Sequence, residues 1–416
     1  MSSVPPILAP QTDPEIQVVS EASERLGRSL STLIGAVAEH PCRPSDLSRV
    51  LGINKDLASR VVNAVTIADP LASAYAMPGP APLRTLVQSA KRRGAALPLI
   101  EEADSAIDAY ERMLAEQVGD KTGLDALIGA WLPEAREEVD VTARQLVYRG
   151  TSLVKGLVAD AAVVSFLVHR SATDPERCDT AMIGGWVGLR RLRPRIPMRF
   201  IARLVHVKGQ PGPMFDAAGD QFYDRFMERF SDQPLPVTVR QSMDRREYWL
   251  DDRGVGPRSS SRVFLNEIYR SNHPFSRPIE LKSPLRFFFS GIDVPVKVLV
   301  LDVLVASDVW VGRDPELRVY ETAANGTADP NDLSRDIDLM APPTAIRSLG
   351  SGIDRFRSAL IPNYPEMLQS VIEAHGWRDS HFRGYRCQVE YPLYSSQVTM
   401  VFDPFGTRGA AVGDRV

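Results

Sequence analysis

The sequence predicts an α+β chain: an all-α N-terminal domain built around two helices joined by a tight turn, a helical linker, and a C-terminal mixed α+β domain with a largely antiparallel sheet. Three observations carry this. Apolar residues recur at helical spacing from Leu26 to Val65. Leu97 to Gly119 carries apolar residues at heptad spacing behind an acidic outer face. From about Val141 onward β-branched and aromatic runs take over, above all in Leu285–Val311 and Gly384–Phe402.

Taken in order, residues 1–14 are Pro-rich with few large apolar side chains and read as a disordered tail. A domain follows over residues 15–95. Leu26, Leu30, Leu33, Ile34 and Val37 line one side of a first helix, and Pro41 and Pro44 break the link after it. Ser45 to Val65, SDLSRVLGINKDLASRVVNAV, is the most specific signal in the chain. Leu47 and Leu51 face a core. Gly52 stands where the turn needs positive φ, and Ile53 plugs the turn. Asn54 is an N-cap, its side chain free to accept a backbone N–H. Ala58 and Val61 continue the buried face, which leaves Lys55, Asp56, Ser59, Arg60 and Asn63 outside.

That stretch resembles the helix-turn-helix of bacterial winged-helix regulators of the IclR and MarR type, over about residues 15–94. The resemblance implies sequence-specific binding of double-stranded DNA by a homodimer, with the second helix in the major groove. Asn54, Lys55, Ser59, Arg60 and Asn63 would be the DNA-binding residues. It also implies a two-stranded wing over Asp69–Pro82, where Ala74-Tyr75-Ala76-Met77 would be one short strand. The prolines and Gly79 argue against a long regular wing. A tri-helical unit of this kind also serves as a protein-interaction or dimerisation module, and that reading stands beside the first.

Residues 96–140 read as an acidic helical linker or dimerisation segment. Ile100, Ala103, Ile107, Tyr110 and Leu114 sit at a and d spacing, a candidate dimer seam or an internal packing face. Helices are expected over Gly123–Trp131 and from Pro133 through Glu138. The remaining residues, 141–416, read as an effector or assembly domain. Gln145–His169 is a buried helix followed by a strand; Asp179–Leu192 and Phe215–Phe230 are helical. Arg199–Val207 and Val237–Leu250 are strands, Tyr364–His375 is a helix, and Gly384–Phe402 is a hairpin turning near Pro392–Ser395.

Charge and composition narrow the function. The net charge is −3, but residues 15–95 carry +3 and residues 97–145 carry −8, which fits one DNA-facing head and a remainder repelled by the duplex. No apolar run is long enough for a membrane span. MSSVPPILAPQTDP has no basic n-region and no long apolar run, which predicts no signal peptide and a cytoplasmic protein. Cys42, Cys178 and Cys387 are scattered, with neither disulfide nor metal spacing, and read as small buried residues.

No nucleotide-binding glycine loop and no nucleophile elbow is present: Gly254-Val255-Gly256 reads as a turn and Gly350-Ser351-Gly352 as a loop. His375 and His381 flank Trp377 without a third ligand. Asp329, Asp332, Asp336 and Asp338 read as a solvated acidic turn. Arg190, Arg191, Arg193 and Arg195 read as a helix C-terminus with acidic partners, or as an anion site.

The expectation is a DNA-binding transcriptional regulator, likewise a homodimer, with no catalytic residue, metal or cofactor and no membrane association. Its C-terminal domain would bind a small-molecule effector or mediate assembly. The alternatives are an enzyme with an N-terminal interaction domain and an assembly protein that never touches DNA.

Overall fold

The computed structural model describes residues 14–38, 42–129, 133–204, 226–234, 237–241, 245–251, 254–274, 285–377 and 382–404. The chain divides into two compact units, Met1–Thr142 and Ala143–Val416, each with its own hydrophobic core. The N-terminal region is helical and the C-terminal part is rich in sheet.

The first unit is built from α1 (Pro14–Val37), α2 (Pro44–Leu51), α3 (Lys55–Thr66), α4 (Pro70–Ala76), α5 (Pro80–Arg92), α6 (Leu97–Met113) and α7 (Lys121–Gly129). Proline stands in the first turn of α2, α4, α5 and α6, where its missing N–H breaks no helical bond. α1 buries Ile16, Val19, Leu26, Leu30, Leu33 and Ile34 in one stripe. The residues expected as a wing strand, Ala74 to Met77, instead close α4 and its cap. Asp69 accepts the Ala72 N–H at 2.8 Å and Pro70 fixes the first helical φ, so this segment is started as a helix. Among the described residues of this unit there is no strand.

α6 continues into a π turn, Leu114–Val118. Its heptad residues Ile100, Ala103, Ile107, Tyr110 and Leu114 are buried in the unit's own core together with Leu124 and Ile128 of α7. They therefore form no free dimer seam. A long helix, α8 (Pro133–Lys155), spans the boundary between the units. The expected helix beginning at Pro133 and the expected buried helix after Gln145 are this single element, on which Leu146, Val147, Leu153 and Val154 are exposed rather than buried.

The second unit opens on β1 (Leu157–Arg170), followed by β2 (Arg177–Arg191), β3 (Met198–Leu204), β4 (Val237–Gln241), β5 (Arg245–Leu250), β6 (Ser261–Pro274), β7 (Arg286–Gly291), β8 (Val296–Ala306), β9 (Glu316–Glu321), β10 (Leu339–Met340), β11 (Arg347–Ser351), α9 (Tyr364–Ala374), β12 (Phe382–Glu390) and β13 (Ser396–Phe402). A six-stranded sheet has the order β11-β12-β8-β1-β2-β6, a four-stranded sheet β10-β9-β13-β7, and a three-stranded sheet β3-β5-β4. Of the described ladders, β1–β8 alone is parallel. The central strand β8 reads VKVLVLDVLVA and is buried on both faces along most of its length, as a covered central strand must be. Successive β1 residues meet different layers: Ser165 bonds Tyr364 of α9, and the Phe166 ring lies 5.0 Å from Phe288 of the four-stranded sheet.

Several sequence expectations change here. Residues 179–191 of the helix expected over Asp179–Leu192 lie in strand β2. Ala181, Met182 and Ile183 are buried in succession, a pattern of a two-sided strand that periodicity alone does not separate from a helix. The 384–402 segment is not a hairpin. β12 pairs with β8 and β11, whereas β13 pairs with β7 and β9. Tyr391 and Ser395, both at positive φ, carry the chain from one sheet to the other. Leu285–Val311 makes the same crossing, so the two segments pair twice, once in each sheet. The expected helix at 215–230 lies mostly outside the described residues, and its end, Glu228–Phe230, is a 3-10 turn. Gly350 and Ser351 end strand β11 rather than forming a loop.

Candidate nucleic-acid interface

The turn between α2 and α3 is fixed by one left-handed residue and three short-range hydrogen bonds. Gly52 ends α2 in the left-handed conformation, φ 67° and ψ 32°. The Ile53 N–H donates to the Ser48 carbonyl at 3.2 Å, and Ser48 Oγ donates to the Ile53 carbonyl at 2.7 Å. Asn54 Oδ1 accepts the Asp56 N–H at 2.8 Å, capping α3. In this register Ala58, Val61 and Ala64 are buried, and Leu57 packs half-buried against the same core. Asn54, Lys55, Ser59, Arg60 and Asn63 are all exposed. The five residues singled out from the sequence thus share the outer side of α3 and its cap.

The charge on this side is modest. Asp56 is exposed between Lys55 and Arg60. Arg60 also acts inward. On α7, Lys121 donates to the Tyr75 carbonyl at 3.0 Å and pairs with Asp125. Burial lowers the Lys121 pKa; Asp125 opposes that, and the positive charge of Arg60 adds to it. Burial likewise pushes the Tyr110 hydroxyl up, Asp125 adds to the rise and Arg60 opposes it. Arg43, Lys91, Arg92 and Arg93 are further exposed cations of this unit, while Arg49 pairs with Asp46 at 2.8 Å.

The strongest polar centre of the second unit was not singled out from the sequence. Ser165, Asp302 and Arg386 are register partners on β1, β8 and β12, and all are buried. Arg386 donates to both Asp302 oxygens, at 2.9 and 2.8 Å, and to the Phe356 carbonyl at 2.9 Å. Tyr364 donates to Asp302 Oδ2 at 2.6 Å and meets Ser165 Oγ at 2.5 Å. Burial alone would lower the Arg386 pKa; its bonds to Asp302 outweigh that and keep the guanidinium charged. The signal was present as one serine in VVSFLV and one aspartate in VLVLDVLV, each a lone polar residue in an apolar strand. A cleft of about 540 Å³ is lined by Asp354, Arg357, Asn363, Tyr364 and Glu366, but the Tyr364 hydroxyl is turned into the buried network.

The remaining sequence candidates are held by the fold. Arg190 pairs with Asp160 at 2.8 Å. Arg191 is buried and donates to the carbonyls of Ile196, Leu250 and Asp251. Arg193 donates to the Val154 carbonyl. This cluster ends a strand, not a helix, and mainly satisfies backbone carbonyls. The acidic turn is internally tied: Arg335 pairs with Asp338 at 2.6 Å and reaches the carbonyls of Gly326 and Thr327, while Asp332 caps Ser334. His375 contacts Trp377 at 5.1 Å, and His381 lies outside the described residues. Among the described residues no group of three or more His, Cys, Asp or Glu is placed to hold a metal ion. Cys178 and Cys387 are buried, and burial pushes both thiols up to about 12; Cys42 is half-buried.

No family model, no curated protein and no solved structure matches this chain. Among the described residues no helix is long and apolar enough to cross a membrane.

Proposed function

We propose that the chain is a DNA-binding transcriptional regulator that inserts α3 into the major groove, with the second unit as its effector-binding or assembly part. The observation that carries this is the joint exposure of Asn54, Lys55, Ser59, Arg60 and Asn63 on α3 and its cap, on a helix whose entry is fixed by Gly52 and Asn54. Arginine, lysine and asparagine are the side chains suited to base edges and phosphates. The winged-helix likeness enters through α1, α2 and α3 alone, because α4 stands where a wing strand was expected. Homodimer formation and a cytoplasmic location belong to the same reading.

The test is fluorescence anisotropy with DNA from around the chain's own gene, in rising salt. Wild-type binding should weaken steeply with salt. Arg60→Ala should weaken binding by about 1–3 kcal/mol if Arg60 reads a guanine, with the loss concentrated on specific sites. Uniform loss across sequences would make Arg60 a phosphate contact. A folded protein that binds no fragment at low salt would sink the DNA reading. A protein-binding role for α3 would then lead, favoured by Asp56 within its outer side.

A further inference from the structure

Helix α8 carries an apolar stripe that the described residues leave uncovered. Leu146, Val147, Leu153 and Val154 are 61%, 42%, 69% and 76% exposed. They are four of the eleven large apolar side chains exposed among the described residues, and all four lie within nine residues of one helix. With Ala143 and Gly150, also exposed, they occupy an arc of about 120° at helical period. The opposite side is anchored: the Tyr148 ring meets Tyr391 at 5.3 Å, Ser152 is buried, and the Lys155 ammonium lies 5.2 Å from the centre of the Tyr394 ring. The stripe therefore belongs to a fixed helix. Contiguous apolar surface of this kind marks an interaction site.

The pattern identifies the partner. Ala143, Leu146, Gly150 and Leu153 follow the 3-4-3 spacing of a coiled-coil seam, small alternating with large. Glycine weakens a helix interior, and nothing lies within 4 Å of where a Gly150 Cβ would stand. No contact among the described residues calls for glycine there; a second helix approaching closely does. The charges along α8 are also segregated. Glu134, Glu137, Glu138 and Asp140, against Arg136, occupy its first half; Arg144, Arg149 and Lys155 occupy its second, with no acid. Parallel pairing sets like charges side by side, whereas the antiparallel register that matches large side chains to small brings the exposed Lys155 of each copy level with the exposed Asp140 of the other, and antiparallel dipoles favour it.

We propose that α8 pairs antiparallel with α8 of a second copy of this chain, forming an isologous homodimer seam. Leu146 of one copy then packs beside Gly150 of the other, and Ala143 beside Leu153, so large side chains meet small ones. The proposal deepens the homodimer of the proposed function by naming its seam, and the dimer test stands whether or not α3 meets DNA.

Sedimentation equilibrium of the full chain tests it. Wild type should pass from the monomer mass of 46.0 kDa towards twice that value as concentration rises, over about 1–100 μM. The double variant Leu146→Glu, Leu153→Glu should stay at the monomer mass with unchanged circular dichroism and thermal unfolding, since both side chains are exposed. Orientation is read by oxidative cross-linking in a Cys42→Ser background. Val147→Cys, near the crossing, should form a disulfide dimer, and Val154→Cys, near the helix end, should not. A wild type that stays monomeric throughout would overturn the proposal, pointing to cover by the chain itself or by another protein. So would a double variant that still dimerises or that unfolds, or cross-linking at both cysteines, which would mean a parallel pair.

Discussion

At the residue scale, His375 shows how position sets a titration. It sits at the end of α9, half-buried, with Arg270 donating to Nδ1 at 3.4 Å and Trp377 beside its ring. Arg270 in turn pairs with the buried Asp179 at 2.7 Å. Burial lowers the His375 pKa, the Arg270 charge lowers it further, and Asp179 opposes both. An unfolded histidine titrates near 6.5. Between the lowered folded value and 6.5 the unfolded chain holds more protons, so stability rises with pH across that window and this contribution is complete above it. Acidification from about pH 7 to pH 5 should therefore weaken the second unit, and His375→Asn should flatten that dependence. Urea unfolding of both proteins across this range checks it; equal pH slopes would mean that His375 does not couple to folding. The Asp302–Arg386 pair is of another kind. It is fully buried and doubly bonded, so removing one partner strands a charge, whereas removing both together costs much less.

At the element scale, Gly185 shows how strand β2 is held by a residue far along the chain. Gly185 pairs with Phe264 of β6. A Cβ at Gly185 would lie 2.2 Å from the Phe264 ring and 2.4 Å from the Val263 carbonyl. Gly185→Val should thus be destabilising by about 1–3 kcal/mol or more, because the clash includes backbone that cannot step aside. Urea unfolding would read this as a lower midpoint, and an unchanged midpoint would mean that β6 is not held against β2. Phe264 lies far along the chain from Gly185, so no window of the sequence around β2 contains the reason for its glycine. The α2–α3 turn was legible for the opposite reason: Gly52, Ile53, Asn54 and Ser48 settle it among themselves. Tyr364–Ala374 was likewise visible as an amphipathic helix. The hairpin expectation at 384–402 failed because pairing is non-local. Two strands joined by a short link read alike whether they pair with each other or cross between sheets, and here Tyr391 and Ser395 send them to different sheets. The heptad spacing of α6 was correctly seen, but spacing does not say whose core receives it; the same spacing on α8 faces outward.

At the scale of the whole molecule, the two proposals make a joint prediction that neither makes alone. An antiparallel α8 pair has two-fold symmetry, so a dimer presents two copies of α3, and a site read by both would be an inverted repeat. Binding the second half-site then becomes intramolecular, and affinity gains from effective concentration without any new contact. The Leu146→Glu, Leu153→Glu variant keeps α3 intact but removes that gain. It should bind a single half-site as wild type does, and bind the full inverted repeat more weakly than wild type by about 100-fold or more. The salt dependence of its binding to the full site should also fall, because one head neutralises fewer phosphates than two. Anisotropy on both fragments at two salt concentrations separates the cases. Equal loss on half-site and full site would mean that the substitutions disturb α3 itself. Wild-type affinity on both fragments would mean that DNA is read by one chain at a time, whatever α8 pairs with.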